Sequence, residues 1–561
     1  MHRIVGKAVL SVIGRDIQKV AGSIQLCAGQ PSGIEAAIHA MSNVFDQQET
    51  EAVLLVDADN AFNRLNRKAA LHNIGVLCPS FFTILKNTYN AAAQLFVGGE
   101  EIMSQEGITQ GDPLAMPMYA LATIPLIREL CTSRAVQAWF ADDANGAGKL
   151  MRVRNWWDLL NERGPHYGYF PKAVKTHLLV KDSVLDEARE VFKGTGVQIK
   201  SDGCQLLGSA LGKTDFVQNF IQEKANSLVG LIHVLSDVAK SQPQAAYATL
   251  THGLMGRWTF LTRTTENAGS ILKPVERAIS YKLIPSITGR DPPGEQERKM
   301  LSLPVRLGGL GIKNPTVSAG LEFKLSRQTT KPLTEMLMNQ RQEEVDHVCL
   351  AVIALRREAR AERRAAESLL ALKLSQEVGP ELQHSLQIAG EKGASNWLSA
   401  LPIERHGFVL YKSAFRDALC LRYGWELPNL PTRCVCGESF SVQHALSCPT
   451  GGLPFIRHNG IRDLTADWLR EVCSDVVVEP SLQPLTGETL HGRTSNREDD
   501  ARLDIRASGF WGSRFERAFF DVRVFNPKAQ TNRNATLATT YVRHEREKRR
   551  SYQQRVIKSS V

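Results

Sequence analysis

The residues of this chain best placed to do chemistry are acids at the ends of apolar runs. Asp57 closes Val53-Leu54-Leu55-Val56, and the adjacent pair Asp142-Asp143 closes Trp139-Phe140-Ala141. Between them lies Gly107-Ile108-Thr109-Gln110-Gly111-Asp112-Pro113-Leu114. An apolar run ending in an acid reads as a buried strand that delivers a carboxylate at its carboxyl end. The second run, followed by Ala144-Asn145-Gly146-Ala147-Gly148, reads as a hairpin with its acids at the tip. Carboxylates gathered this way repel by roughly 4 kcal/mol per pair at about 4 Å and an effective dielectric of about 20. Hard divalent cations relieve that repulsion, and two such ions can hold a nucleotide's phosphates for in-line displacement, which is polymerase chemistry. One Asp-Asp pair alone reads as a solvated turn; the ordered set argues for a site.

A second concentration lies near the carboxyl end. Cys434-Val435-Cys436, then His444 after seven residues and Cys448 after three more, supply three thiolates and one imidazole. That is a full tetrahedral zinc set with no open position, hence structural rather than catalytic. Free, buried cysteines are the bland alternative. Beyond it come Val476-Val477-Val478-Glu479, Arg502-Leu503-Asp504-Ile505 and Phe519-Phe520-Asp521-Val522-Arg523. The last two are short β-rich segments, each carrying an acid.

The elements that must hold these groups fit an ordinary folded composition. Of 561 residues, 43% are hydrophobic and 22% charged, so the chain can bury several cores and two to four domains are expected. The net charge of +10 favours a polyanionic partner. It is locally concentrated: from Arg533 onward eight Lys or Arg face two Glu, a patch for phosphates or a solvated helix. No window approaches the roughly 18 apolar residues of a membrane span, and the scattered cysteines suit a reducing compartment. The basic start, Met1 to Leu10, could pass for a weak targeting segment. Residues 214–300 have helical periodicity. The run 303–312 is a Gly-rich turn, and 333–378, free of Gly and Pro, reads as one long helix whose charges at 356–364 form a solvated face, with contact to nucleic acid as the other reading.

At the acidic blocks the chain resembles the reverse transcriptases of non-LTR (LINE-type) retrotransposons. The Asp57 block is similar to their motif A, Gln110-Gly111-Asp112-Pro113 to motif B, and Phe140-Ala141-Asp142-Asp143 to motif C. The resemblance implies that Asp57 and Asp142, with Asp143 beside them, hold Mg²⁺. Phe62 would exclude a ribose 2′-hydroxyl, and Gln110, Gly111 and Asp112 would line the nucleotide and template pocket. Gly168 to Thr176 resembles motif D, which puts Lys175 near the leaving pyrophosphate, and Leu206 to Gly212 resembles the primer grip. Met1 to Leu10 then resembles the interior of the fingers, so the chain would start late, without the strands whose cations usually clamp the triphosphate.

The Cys-Cys-His-Cys order ahead of two acid-bearing strands resembles elements with a restriction-like endonuclease of PD-(D/E)xK layout. By that likeness Asp504 and Asp521, with Glu479 as a third acid, bind Mg²⁺, and Lys548-Arg549-Arg550-Ser551-Tyr552 matches the Lys-x-x-x-Tyr signature. Two departures stand out: Leu503 replaces an expected Pro, and Arg523 replaces Lys. Arginine cannot be deprotonated at useful pH, so Lys548 must supply any missing amine.

The implied fold class is α+β multidomain. Residues 1–213 form partial fingers and palm, 214–300 a helical thumb, 301–430 a Gly-rich connector and helical linker, 431–460 a zinc knuckle, and 461–561 an α/β nuclease. The implied function is RNA-directed DNA polymerisation of element RNA from a nicked genomic DNA primer, with dNTPs as substrates, Zn²⁺ as a structural ion, no membrane partner, and the nucleus as site of action. Two other readings fit the sequence: a catalytically inactive nucleic-acid-binding relic, and a group II intron maturase-like reverse transcriptase.

Overall fold

One fully buried strand, β1 (Ala52–Val56), organises the amino-terminal part of this computed structural model. Its side chains alternate: Leu54 and Val56 join a core with Trp139, Trp156 and Tyr169, while Val53 and Leu55 join another with Ile38, Met41 and Leu337. Burial on both faces explains why the strand reads as a continuous apolar run. The hairpin β2 (Ala93–Val97) and β3 (Glu100–Ser104) follows, then β4 (Val136–Phe140), β5 (Asp143–Gly148), β6 (His177–Val180) and β7 (Gln198–Lys200). A five-stranded sheet results, in the order β4-β5-β1-β6-β7, antiparallel except for β6 and β7. Gly146 lets the helix Leu150–Arg163 lie on β5, since a Cβ there would stand 2.9 Å from the Trp156 ring. Strands β8 (Gly203–Leu206) and β9 (Ser209–Gly212) are joined through Leu207 and Gly208, both at positive φ as a two-residue hairpin turn of this kind requires.

The structure describes residues 2–23, 25–341, 345–482, 502–511, 516–529, 531–532 and 535–560. They form a mixed, mostly helical α+β chain in two compact units, 1–383 with 389–419, and 384–388 with 420–561. Helices follow β9, beginning with the 26-residue Thr214–Ala239. The long helix expected over 333–378 is two helices, Pro315–Met338 and Val345–Glu377. Tertiary bonding interrupts it: Gln340 sits at φ 49° and its amide donates to Gln137 O at 2.9 Å. Leu333 and Leu337 before the break, and Val348 and Val352 after it, all pack into the core behind the sheet. The charged face is not wholly solvated either, because Arg363 reaches the buried Glu322.

In the second unit the helix Leu453–Val472 precedes an antiparallel sheet of β10 (Ser474–Val478), β11 (Ile505–Ser508) and β12 (Arg517–Phe520), and the helix Leu537–Ser560 follows it. Ala466, Leu469, Ile505 and Ala507 form its core, and Leu503 packs with Leu482. Among the described residues no helix is long and apolar enough to cross a membrane.

Candidate active site and metal centre

Register brings the first acids together. Val56 lies opposite Ala144, and Phe140 pairs with Asp143 across the β4–β5 turn. One further step of the β1–β5 register puts Asp57 across from Asp143. Burial raises the Asp142 carboxyl above its ordinary range, and the charge of Asp57 adds to the effect. Asp143 is pushed up to about 6, first by the desolvating wall of the sheet and then by Asp142 and Asp57. Because the Asp143 side chain is itself open to solvent, the repulsion among the three carboxylates is the firmer part of that shift. Lys175 offsets some of this charge, with its Nζ 3.2 Å from Asp57 Oδ2. The backbone beyond β1 is held by bonds from Lys172 N to Asp57 O and from Asp59 N to Phe170 O.

Two buried side chains from elsewhere fix the acidic turn. Ala141 adopts φ 55°, an unfavourable region for alanine. Gln25, fully buried, grips both of its backbone polar groups: Oε1 accepts from Ala141 N and Nε2 donates to Ala141 O, each at 3.0 Å. Thr123 Oγ1 lies 3.3 Å from the same Nε2. Tyr169, also fully buried, donates its hydroxyl to Asp142 O at 2.8 Å.

Phe62 lies half-buried at the rim, stacked on Tyr119 with ring centroids 4.7 Å apart. Its carbonyl accepts from Ile108 N, so the 107–114 loop docks directly on the segment following Asp57. Gly107 has φ 72°, and a Cβ there would stand 2.4 Å from Asn63 O, so the approach requires glycine. The buried Arg67 donates to Ser104 O, Glu106 O and Gly107 O, fastening the start of the loop. Gln110 and Gly111 are exposed at its tip, whereas Asp112 is buried and accepts from Leu114 N, ordering entry into the helix Ala115–Leu130.

In the second unit Cys434, Cys436, His444 and Cys448 offer ligand atoms all within 4.8 Å of one another. Among the described residues no other group of three or more Cys, His, Asp or Glu is so tight. Asp57, Asp142 and Asp143 share one end of the five-stranded sheet without that closeness. Ser441 caps the short helix Val442–Ala445 by accepting from His444 N, which aims the imidazole. Cys448 is pushed down to about 7, first by a backbone hydrogen bond from Gly451. Three sulfurs and one imidazole nitrogen at these separations fit a tetrahedral ion such as zinc.

Asp504 and Asp521 flank the β11–β12 pair, where Ile505 lies opposite Phe520. Asp504 Oδ2 accepts from Val522 N at 2.5 Å, and Lys548 Nζ lies 2.7 Å from Asp521 Oδ2. Burial raises the Asp521 carboxyl, Lys548 opposes the rise, and Asp504 adds to it. His458 Nε2 donates to Val522 O at 3.0 Å and stands 3.3 Å from Asp504 Oδ1. Glu479 turns elsewhere: its carboxylate pairs with Arg462 and Arg502, although its backbone N donates to Asp504 O. Arg523 also turns away, to Glu547 at 2.9 Å.

Neither a protein-family model nor a curated protein matches this chain. Among solved structures it is similar to apo telomerase from Candida tropicalis, at 13% identity and a TM-score of 0.32, over 62% of this chain and 60% of that one. The chain thus spans about 60% of that structure's length. A likeness this weak fixes neither activity nor partners.

Sequence reasoning singled out the acids but missed what holds them. Arg67 carries no spacing signal, and although Tyr169 lies inside the stretch likened to motif D, neither it nor Gln25 or His458 shows its partner in the sequence, since each meets it only through the fold. The pairing of Asp59 with Lys172 and Arg64, which lowers the Asp59 carboxyl through the Lys172 bond first, was equally silent.

Proposed function

We propose that the chain is an RNA-directed DNA polymerase of the non-LTR retrotransposon kind. The observation that carries this is the placement of Asp57, Asp142 and Asp143 at one end of the five-stranded sheet, where burial and mutual repulsion raise the Asp142 and Asp143 carboxyls. On this reading Asp57 and Asp142, with Asp143, would hold Mg²⁺, which supplies charge neutralisation for phosphoryl transfer when bound. The chain's own groups do the rest. Phe62, braced by Tyr119, closes the space a 2′-hydroxyl would need. Gln110 and Gly111 face the base pair, Asp112 shapes that loop, and Lys175 holds a proton at Nζ for the leaving pyrophosphate. The working division is fingers and palm over 1–213, thumb over 214–300, and connector over 301–430.

We further infer a zinc knuckle at 431–460 and a nicking nuclease at 461–561. Lys548 supports the latter, because it meets Asp521 at the place where Arg523 would have failed. The template would be the element's RNA, and the primer a nicked genomic strand. Primer extension on an RNA template tests the main reading. Wild type should incorporate dNTPs and reject ribonucleotides, and Phe62→Ala should admit ribonucleotides while still extending. A wild-type protein that binds RNA but extends nothing would leave the inactive-relic reading standing.

A further inference from the structure

Behind the five-stranded sheet, where helices Gly33–Asp46, Met255–Thr264, Pro315–Met338 and Val345–Glu377 meet, lies a polar cavity of about 260 Å³. It falls just below the roughly 300–1,000 Å³ of pockets for drug-sized ligands, so it suits a small polar group. Four arginines line it: Arg263, Arg356, Arg360 and Arg363. Two of them have their charge met. Arg363 forks onto Glu322 at 2.9 and 2.8 Å, and Arg263 reaches the same carboxylate at 3.0 Å and Glu35 at 3.5 Å. Glu322 is almost fully buried and also has Lys313 at 3.4 Å.

That leaves Arg356 and Arg360, which make no ion pair among the described residues and face the same space. They sit one turn apart, with Arg363 continuing the same face of the helix. Like charges at this spacing cost a helix about 0.2–0.5 kcal/mol. Guanidinium forks match the oxygens of a phosphate, and two heads about 5–6 Å apart at their Cβ atoms can converge on one tetrahedral anion. The opposite wall carries Ser32, Thr329 and one acid, Glu35, whose carboxylate is committed to Ser326 and Arg263. The wall is also rigid: Ser326 donates to Glu35 Oε2 at 2.9 Å, so it accepts from His39 Nε2 at 3.0 Å. Burial drives His39 down to about 4, with Arg327 adding to the shift, so the ring is neutral at ordinary pH and steadies Ser326, which in turn holds Glu35.

We propose that this pocket binds a phosphate group, with Arg356 and Arg360 as its direct ligands and Arg263 and Arg363 fixed behind them by Glu322. The inference stands apart from the polymerase reading and needs none of the palm acids. The phosphate has two possible sources, a free inorganic anion or a phosphodiester of a bound strand.

Phenylglyoxal modification of the full chain, without divalent metal and resolved by residue with mass spectrometry, tests it. Saturating inorganic phosphate should slow modification of Arg356 and Arg360 by at least about tenfold, the lower end of a charge-assisted contact. Arg357 and Arg364, about a quarter-turn round the same helix, should react as before. A single-stranded RNA oligonucleotide protecting the same pair at far lower concentration assigns the site to a strand backbone. Protection by inorganic phosphate alone assigns it to a free anion. Unchanged reactivity of Arg356 and Arg360 with both probes, or equal protection of Arg357 and Arg364 alongside them, overturns the proposal.

Discussion

Gln25→Leu should damage the acidic turn without emptying the core. Leucine roughly keeps the volume but removes both bonds to Ala141, which is itself buried. An orphaned buried donor or acceptor costs about 1–3 kcal/mol, so losing both partners costs about 2–6 kcal/mol before relaxation. The turn can recover part of this by letting Ala141 leave φ 55°, a conformation that costs alanine roughly 1–2 kcal/mol. That relaxation re-aims Asp142, the next residue. A displacement of about 1 Å at reacting groups can cost on the order of 100-fold in rate. Two signals are therefore expected: a melting temperature lower by about 1–5 °C, since a unit this large shifts by only about 1 °C per kcal/mol, and a loss of primer extension well below the melting transition, seen in kcat rather than in RNA affinity. Thr123→Val removes the peripheral contact of the Gln25 amide and the threonine's own bonds to the Tyr119 and Ala120 carbonyls, but leaves both Gln25–Ala141 bonds, so it should leave extension intact. A Gln25→Leu protein with wild-type melting and wild-type extension would refute the clamp.

Other outcomes follow from the same geometry. The Asp143 carboxyl titrates at about 6 when folded against 3.8 when free. Its raised folded value means a contribution to stability that is full below 3.8 and is lost as pH rises to about 6. Melting curves across that window should therefore show a pH slope that Asp143→Asn removes and Mg²⁺ offsets, whereas identical slopes would contradict the crowding of the three acids. Purified, reduced protein should contain one Zn²⁺ per chain, and chelation should speed proteolysis near 431–460 while leaving the palm resistant; protein without zinc refutes the assignment. The full chain should nick supercoiled plasmid in Mg²⁺, with Asp504→Ala, Asp521→Ala and Lys548→Ala each inactive. Nicking that survives Asp521→Ala would mark a contaminant.

The strand ending in Asp57 and the hairpin carrying Asp142 were legible because burial on both faces leaves a continuous apolar run and a two-residue turn leaves its acids at the tip. Strands β11 and β12 were legible instead as short segments of strand-forming residues, each flanked by an acid. What could not be read is whatever long-range pairing decides. Gln25 lies 116 residues from Ala141, and nothing local distinguishes it from any other buried glutamine. The break after Met338 has no Gly or Pro to announce it; helix propensity favours continuing, and packing of both helices on the sheet overrides that preference. Glu479 sits at the end of an apolar run like the other acids, yet Arg462 and Arg502 claim its carboxylate.

The central claim is that Asp57, Asp142 and Asp143 together hold the metal for nucleotide transfer. The most direct measurement is Mg²⁺-dependent dNTP incorporation on a primed RNA template, comparing wild type with Asp57→Ala and Asp142→Ala at matched RNA occupancy. Extension by wild type, and its loss in both variants with RNA binding retained, is the result this account predicts. Extension by Asp142→Ala at the wild-type rate would contradict it.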